Sequence, residues 1–119
     1  MVNVDTHILV FALTGEVTDK ERRILASNTW SVSAIVLWEL AKLAQLGRLD
    51  IDLDDADLTR TLSSIHVWPI DLAVGLQSTR LDFKSDPADE LIAATSIVHK
   101  IPLITRDRRI RGSRLVKFA

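Results

Sequence analysis

The sequence predicts an α/β fold in three layers, with a central, mainly parallel sheet covered by helices. Three observations predict it. Short apolar runs of strand length alternate along the chain with longer stretches of helical periodicity. The helical stretches open on capping residues and stop at glycine or proline. There is no internal repeat, low-complexity tract or Pro/Gly-rich linker, so the 119 residues read as one domain over 1–119, within the usual size of a single core. Strands separated by helices must cross over the sheet, which makes them parallel and the crossovers right-handed.

Val2-Asn3-Val4 is too short and apolar for a helix and reads as a buried first strand ending at Asp5. Ile8 to Leu13 reads as helical. Thr18 and Glu21 stand at capping-box spacing and predict a short helix from Asp19 to Ala26. Thr29 to Val32 is the second strand, and Ser33 caps a helix from Ala34 to Leu46 that Gly47 ends. Asp54 or Asp55 can cap a helix through Leu62. Ile65 to Val67 is a small strand stopped by Pro69, and Asp71 opens a helix toward Leu81. Asp86-Pro87 is a strong start signal for a helix to about His99, with Asp89 and Glu90 in its first turn. Leu103-Ile104-Thr105 forms a further strand stopping at Arg106-Asp107, and Leu115 to Phe118 is a candidate last edge strand.

Composition narrows the chemistry. With no cysteine there is no disulfide, thiolate ligand or cysteine nucleophile, so any metal is held by oxygen or imidazole. No apolar run reaches the roughly 18 residues of a membrane span, and Met1 leads into the first strand without a basic segment, so a cytoplasmic protein is expected, without membrane contact. Fifteen basic and sixteen acidic residues leave a net charge of −1, which argues against purely charge-driven nucleic-acid binding. The segment from Lys100 to Lys117 nevertheless holds Arg106, Arg108, Arg109, Arg111 and Arg114 around a lone acid, Asp107. It is either a phosphate-holding patch or a solvated stretch balancing the acids between Asp50 and Asp57. The glycines, Gly15, Gly47, Gly75 and Gly112, are scattered and make no phosphate loop.

The acids carry the functional signal. Asp5 and Asp107 fall at the C-terminal ends of predicted strands, the edge where open α/β sheets build their sites. Asp89 lies at the start of a helix that faces the same edge if its preceding strand is parallel. Carboxylates gathered together repel unless a cation compensates, so the cluster points to a hard dication, Mg²⁺ or Mn²⁺. Small residues one turn on, Ala93 and Ser96, leave room beside Asp89 or serve tight packing on the sheet. Glu39 stays ambiguous: with Lys42 and Gln45 it also describes a solvated stripe with an i,i+3 ion pair. Neither His7, His66 nor His99 is needed as a base, and Trp30, Trp38 and Trp68 fall in apolar segments as core or partner-interface residues.

Four stretches together resemble the motifs of PIN domains, and most nearly those of VapC-like toxins: Val4-Asp5-Thr6-His7-Ile8-Leu9, Ser33 to Leu40 around Glu39, Asp86-Pro87-Ala88-Asp89-Glu90-Leu91-Ile92-Ala93-Ala94-Thr95, and Leu103-Ile104-Thr105-Arg106-Asp107. They occur in the family's order and span essentially the whole chain. The resemblance implies a three-layer α/β/α fold and a metal-dependent endoribonuclease, the toxin component of a toxin-antitoxin pair. It implies that Asp5, Glu39, Asp89 and Asp107 hold Mg²⁺ or Mn²⁺, supported by Thr6 and Thr105, with Asp86 as an accessory acid. Arg106, Arg108 and Arg109 are the candidate RNA contacts. An antitoxin protein and a second copy of the chain are the implied partners, and the Leu- and Trp-rich face of the Ala34 to Leu46 helix is the candidate partner surface, with core packing as its alternative. The sequence departs from the subgroup at Glu90, where Arg is common, and at Lys84-Ser85, where His-Arg is common. Two other classes compete: a catalytically silent PIN-like binding domain, and a receiver-like signalling module, which would carry an acidic pair where only Asp5 stands.

Overall fold

The computed structural model describes all of residues 1–119. Four short strands, β1 (Val2–Val4), β2 (Trp30–Ser33), β3 (His66–Trp68) and β4 (Leu103–Ile104), form one parallel sheet in the order β3-β2-β1-β4. Seven helices flank it: α1 (Thr6–Thr14), α2 (Asp19–Ala26), α3 (Ala34–Gln45), α4 (Ala56–Ser63), α5 (Leu72–Ser78), α6 (Pro87–His99) and α7 (Arg108–Arg111). The chain adds β2 and β3 on one side of β1 and then β4 on the other. The boundary between β1 and β4 is thus the topological switch point, where the connections diverge and leave a crevice at the strands' carboxyl ends.

Local chemistry accounts for most boundaries. The Thr18–Glu21 capping box is present in both directions, Ser33 caps α3, and Asp55 rather than Asp54 caps α4 by accepting from the amides of Asp57 and Leu58. The first helix starts two residues earlier than its apolar pattern, because Asp5 is itself the N-cap and accepts from the Thr6 amide. The expected last edge strand reduces to a single parallel bridge between Leu103 and Phe118. A short helix not anticipated, α7, forms because the Asp107 carboxylate accepts from the amides of Arg109 and Ile110.

The core is a continuous cluster of Val2, Val4, Ile8, Leu9, Val32, Val36, Leu40, Ile92, Leu103 and Ile110 with their neighbours. Both β1 valines are fully buried, as a strand covered on both faces requires. Helix α6 packs on α5, α3 and β2. Its register on β1 is set by Asn3, whose buried amide donates to the Ile92 carbonyl at 3.2 Å and Ser96 Oγ at 2.9 Å. On α3, Val36 and Leu40 face the core, whereas Leu37 and Trp38 are 38% and 55% exposed, so that helix has an apolar outer face as well. Trp30 and Trp68 are partly buried, and Trp68 stacks on His99 with ring centroids 4.0 Å apart. No helix is long and apolar enough to cross a membrane.

Candidate active site

Asp5 follows β1 directly and Asp107 stands three residues beyond β4, so the two neighbouring parallel strands deliver both acids to the switch-point crevice. Asp89 occupies the first turn of α6, the helix that Asn3 docks onto β1. Glu39 comes from the middle of α3. The carboxylates of Asp5, Asp107 and Glu39 lie near enough to Asp89 for their charges to raise its carboxyl.

Each carboxylate is held by a particular donor. Thr105 Oγ1 donates to Asp5 Oδ2 at 2.6 Å while the Thr6 amide donates to Oδ1 at 2.8 Å. The same Thr105 oxygen accepts from the Asp107 amide at 3.0 Å, so one hydroxyl bridges two of the acids. Thr6 Oγ1 donates to Glu39, and Ser85 Oγ donates to Asp89 Oδ2 at 2.9 Å. Glu39 makes no ion pair with Lys42, which turns instead to Gln45. The i,i+3 ion pair of the stripe reading is therefore absent, and the Glu39 carboxylate accepts from Thr6 instead.

The cluster carries uncompensated charge. The ion pairs of the chain are Arg22–Asp19, Arg60–Asp57 and Arg106–Glu21, and none includes a site acid. Burial raises the Asp5 carboxyl above its ordinary range against the opposing pull of its Thr105 and Thr6 bonds. Burial, opposed by the Ser85 bond and reinforced by the neighbouring acids, pushes Asp89 up to about 6. Four hard oxygen ligands without a cationic partner fit a dication such as Mg²⁺ or Mn²⁺. In the side-chain positions present, no three of them enclose a cation position.

The model of the PIN domain family matches residues 2–113. The chain belongs to the PIN domain family. This PIN domain is 35% identical over 88 residues to Ribonuclease VapC22 of Mycobacterium tuberculosis, an alignment spanning 71% of this chain and 67% of that one. Its fold is similar to that of a toxin-antitoxin complex from Klebsiella pneumoniae, with TM-score 0.75 at 20% identity over 98% of this chain and 95% of that one. It is also similar to FitAcB from Neisseria gonorrhoeae, with TM-score 0.72 at 20% identity over 100% and 97% of the two chains. The family assignment removes the receiver-like alternative.

Other expected residues lie differently in this PIN domain. Asp86 is the N-cap of α6 by backbone conformation, but its side chain is exposed and makes no cap bond. Arg108 and Arg109 are exposed on α7 beside Asp107. Arg106 is turned the other way, into a two-bond pair with Glu21. His7 is exposed. Two contributors escaped the sequence reading. Ser85 anchors Asp89, and its position four residues ahead of that acid was the available signal. Asn3 was legible as a lone amide between two valines in a buried strand.

Proposed function

We propose that this PIN domain is a metal-dependent endoribonuclease acting in the cytoplasm as the toxin of a toxin-antitoxin pair. The observation that carries the reading is that Asp5, Glu39, Asp89 and Asp107 come together near the switch point and none of them is in an ion pair. These four would hold Mg²⁺ or Mn²⁺. When bound, such an ion supplies an acidified water and electrostatic stabilisation of phosphate oxygens. The protein's own part is orientation. Thr105 and the Thr6 amide fix both oxygens of Asp5, Thr6 aims Glu39, and Ser85 aims Asp89, so these three carboxylates are each held in one geometry. Arg108 and Arg109, exposed beside Asp107, are available to phosphates of a bound strand. Glu90 accepts from the Ser85 amide at 3.5 Å and adds negative charge beside the site, which shifts phosphate contacts toward that arginine side.

The curated relative is named a ribonuclease and the structural neighbours include a toxin-antitoxin complex, which supports an RNA substrate and a protein antitoxin. The apolar outer face of α3, with Leu37 and Trp38, is the partner surface we assign, to an antitoxin or to a second copy in a homodimer. The test is incubation of the purified, partner-free protein with a total RNA pool in Mn²⁺ or Mg²⁺ against EDTA, beside Asp89→Asn. Discrete metal-dependent cuts that vanish in the variant are expected. Intact RNA with a folded protein that still binds Mn²⁺ would point instead to a silent binding domain.

A further inference from the structure

We propose that Arg106 is a positioning residue whose clamp on Glu21 fixes the Thr105–Asp107 corner, and so the placement of Asp5 and Asp107, rather than a ligand for RNA phosphate. It rests on the proposed function for its Mn²⁺ and RNA readouts, and amide exchange at Asp107 tests it apart from that reading.

Three of the five guanidinium N–H groups of Arg106 are engaged. Its Nε donates to Glu21 Oε2 at 2.8 Å and its Nη2 donates to Glu21 Oε1 at 2.7 Å and to the Glu16 carbonyl at 3.2 Å. Its plane lies over the Phe11 ring, 4.1 Å from the centroid. One side chain is thus gripped by α1, by the α1–α2 loop and by the first turn of α2. Glu21 is itself aimed, because its carboxylate accepts from the Thr18 amide at 2.9 Å in the capping box. The charge of this bidentate, ring-stacked arginine is matched by a glutamate whose side chain is only 13% exposed, which holds the fork in one place.

What the clamp holds is the critical turn of the site. β4 has two residues, and the chain leaves it through Thr105, Arg106 and Asp107 before α7 begins. Thr105 Oγ1 bridges Asp5 Oδ2 and the Asp107 amide. Its carbonyl is braced by Arg111 Nη1 at 3.2 Å. Arg106 stands in the chain between the bridging Thr105 and the acid Asp107, so its anchor on Glu21 sets the path of the backbone on which both depend. Pairing Arg106 with Glu21 also removes a positive charge from the vicinity of Asp5 and Asp107, leaving their charge for a cation.

Glu21→Gln isolates the clamp, since glutamine still completes the capping box but gives up the charged pair. Three readouts apply: amide exchange at Asp107 in the metal-free protein, Mn²⁺ binding followed by electron paramagnetic resonance, and RNA affinity in EDTA as a function of salt. Expected for Glu21→Gln and for Arg106→Lys are faster Asp107 exchange and Mn²⁺ affinity weakened by about tenfold, with RNA affinity and its salt slope as in wild type. Unchanged Asp107 exchange and Mn²⁺ affinity in Glu21→Gln would overturn the proposal. So would an Arg106→Lys protein that matches wild type while Arg106→Ala lowers the RNA salt slope by about one, the signature of a phosphate contact. If the wild type leaves RNA uncut, the nuclease reading fails, while exchange and Mn²⁺ binding still decide the clamp.

Discussion

Asp89 shows how the site stores unfavourable energy in a single side chain. Its carboxyl rises from 3.8 to about 6 in the folded protein, first because of burial and then because Asp5, Asp107 and Glu39 face it, with the Ser85 bond opposing. The folded state therefore binds more protons than the unfolded state between those values, and stability falls as pH rises from about 4 to about 6. Two units correspond to roughly 3 kcal/mol, and partial solvent access reduces this to about 1–2 kcal/mol. Asp89→Asn keeps an acceptor for Ser85 and loses the charge. The metal-free variant should exceed wild type in urea stability by about 1–2 kcal/mol above pH ~7 and match it below pH ~4, while losing all RNA cleavage. Equal stability at both pH values would mean that burial and the neighbouring acids do not raise the Asp89 carboxyl.

At the scale of elements, two side chains join pieces far apart in sequence. Asn3 docks α6 onto β1 through Ile92 and Ser96, and its own Oδ1 has no partner. Asn3→Ala leaves the Ile92 carbonyl and Ser96 hydroxyl buried without that donor, and a loss of about 2 kcal/mol by urea denaturation is expected. A double-mutant cycle with Ser96→Ala should show coupling, because the two share one bond. The second joint is Glu21–Arg106, which ties α2 to the end of β4. The Arg106 bond holds Glu21 at about 2, below its ordinary 4.5. A depressed acid contributes stability that is full above the unfolded value and disappears as pH falls from about 4.5 to about 2. With the arginine partly exposed, this is about 1 kcal/mol. Wild type should therefore lose about that much more than Arg106→Gln across this acid window, measured by urea midpoints.

Across the whole molecule, the proposed metal site would make folding and cation binding one equilibrium. The unfolded chain scatters Asp5, Glu39, Asp89 and Asp107 over its length, so a dication bound by all four binds the folded state alone. Mn²⁺ at a hundredfold excess over its dissociation constant should raise stability by about 2.7 kcal/mol, and EDTA should abolish the gain. Asp5→Asn retains the N-cap of α1, since asparagine caps as well as aspartate, and should fold without showing the Mn²⁺ response. An equal Mn²⁺ response in Asp5→Asn would remove Asp5 from the binding set.

Local chemistry, which a sequence displays, determined the element types and most of their ends. The Thr18–Glu21 box, the Ser33 cap and Asp86-Pro87 act within four residues, and apolar runs of strand length can be buried only in a covered parallel sheet. The positions of Asp5, Asp89 and Asp107 at strand ends and a helix start were legible for the same reason. The family motifs added Glu39, which spacing alone left ambiguous. Tertiary structure decided the sheet order that makes β1 and β4 neighbours, and with it the switch point. It decided that Thr6 takes Glu39 from its helical stripe, that Thr105 spans Asp5 and Asp107, and that Arg106 belongs to Glu21. Thr105 meets Asp5 and Arg106 meets Glu21 across most of the chain's length. No local propensity encodes such contacts, because the partner of a buried hydroxyl or a bidentate arginine is chosen only when packing brings distant elements together.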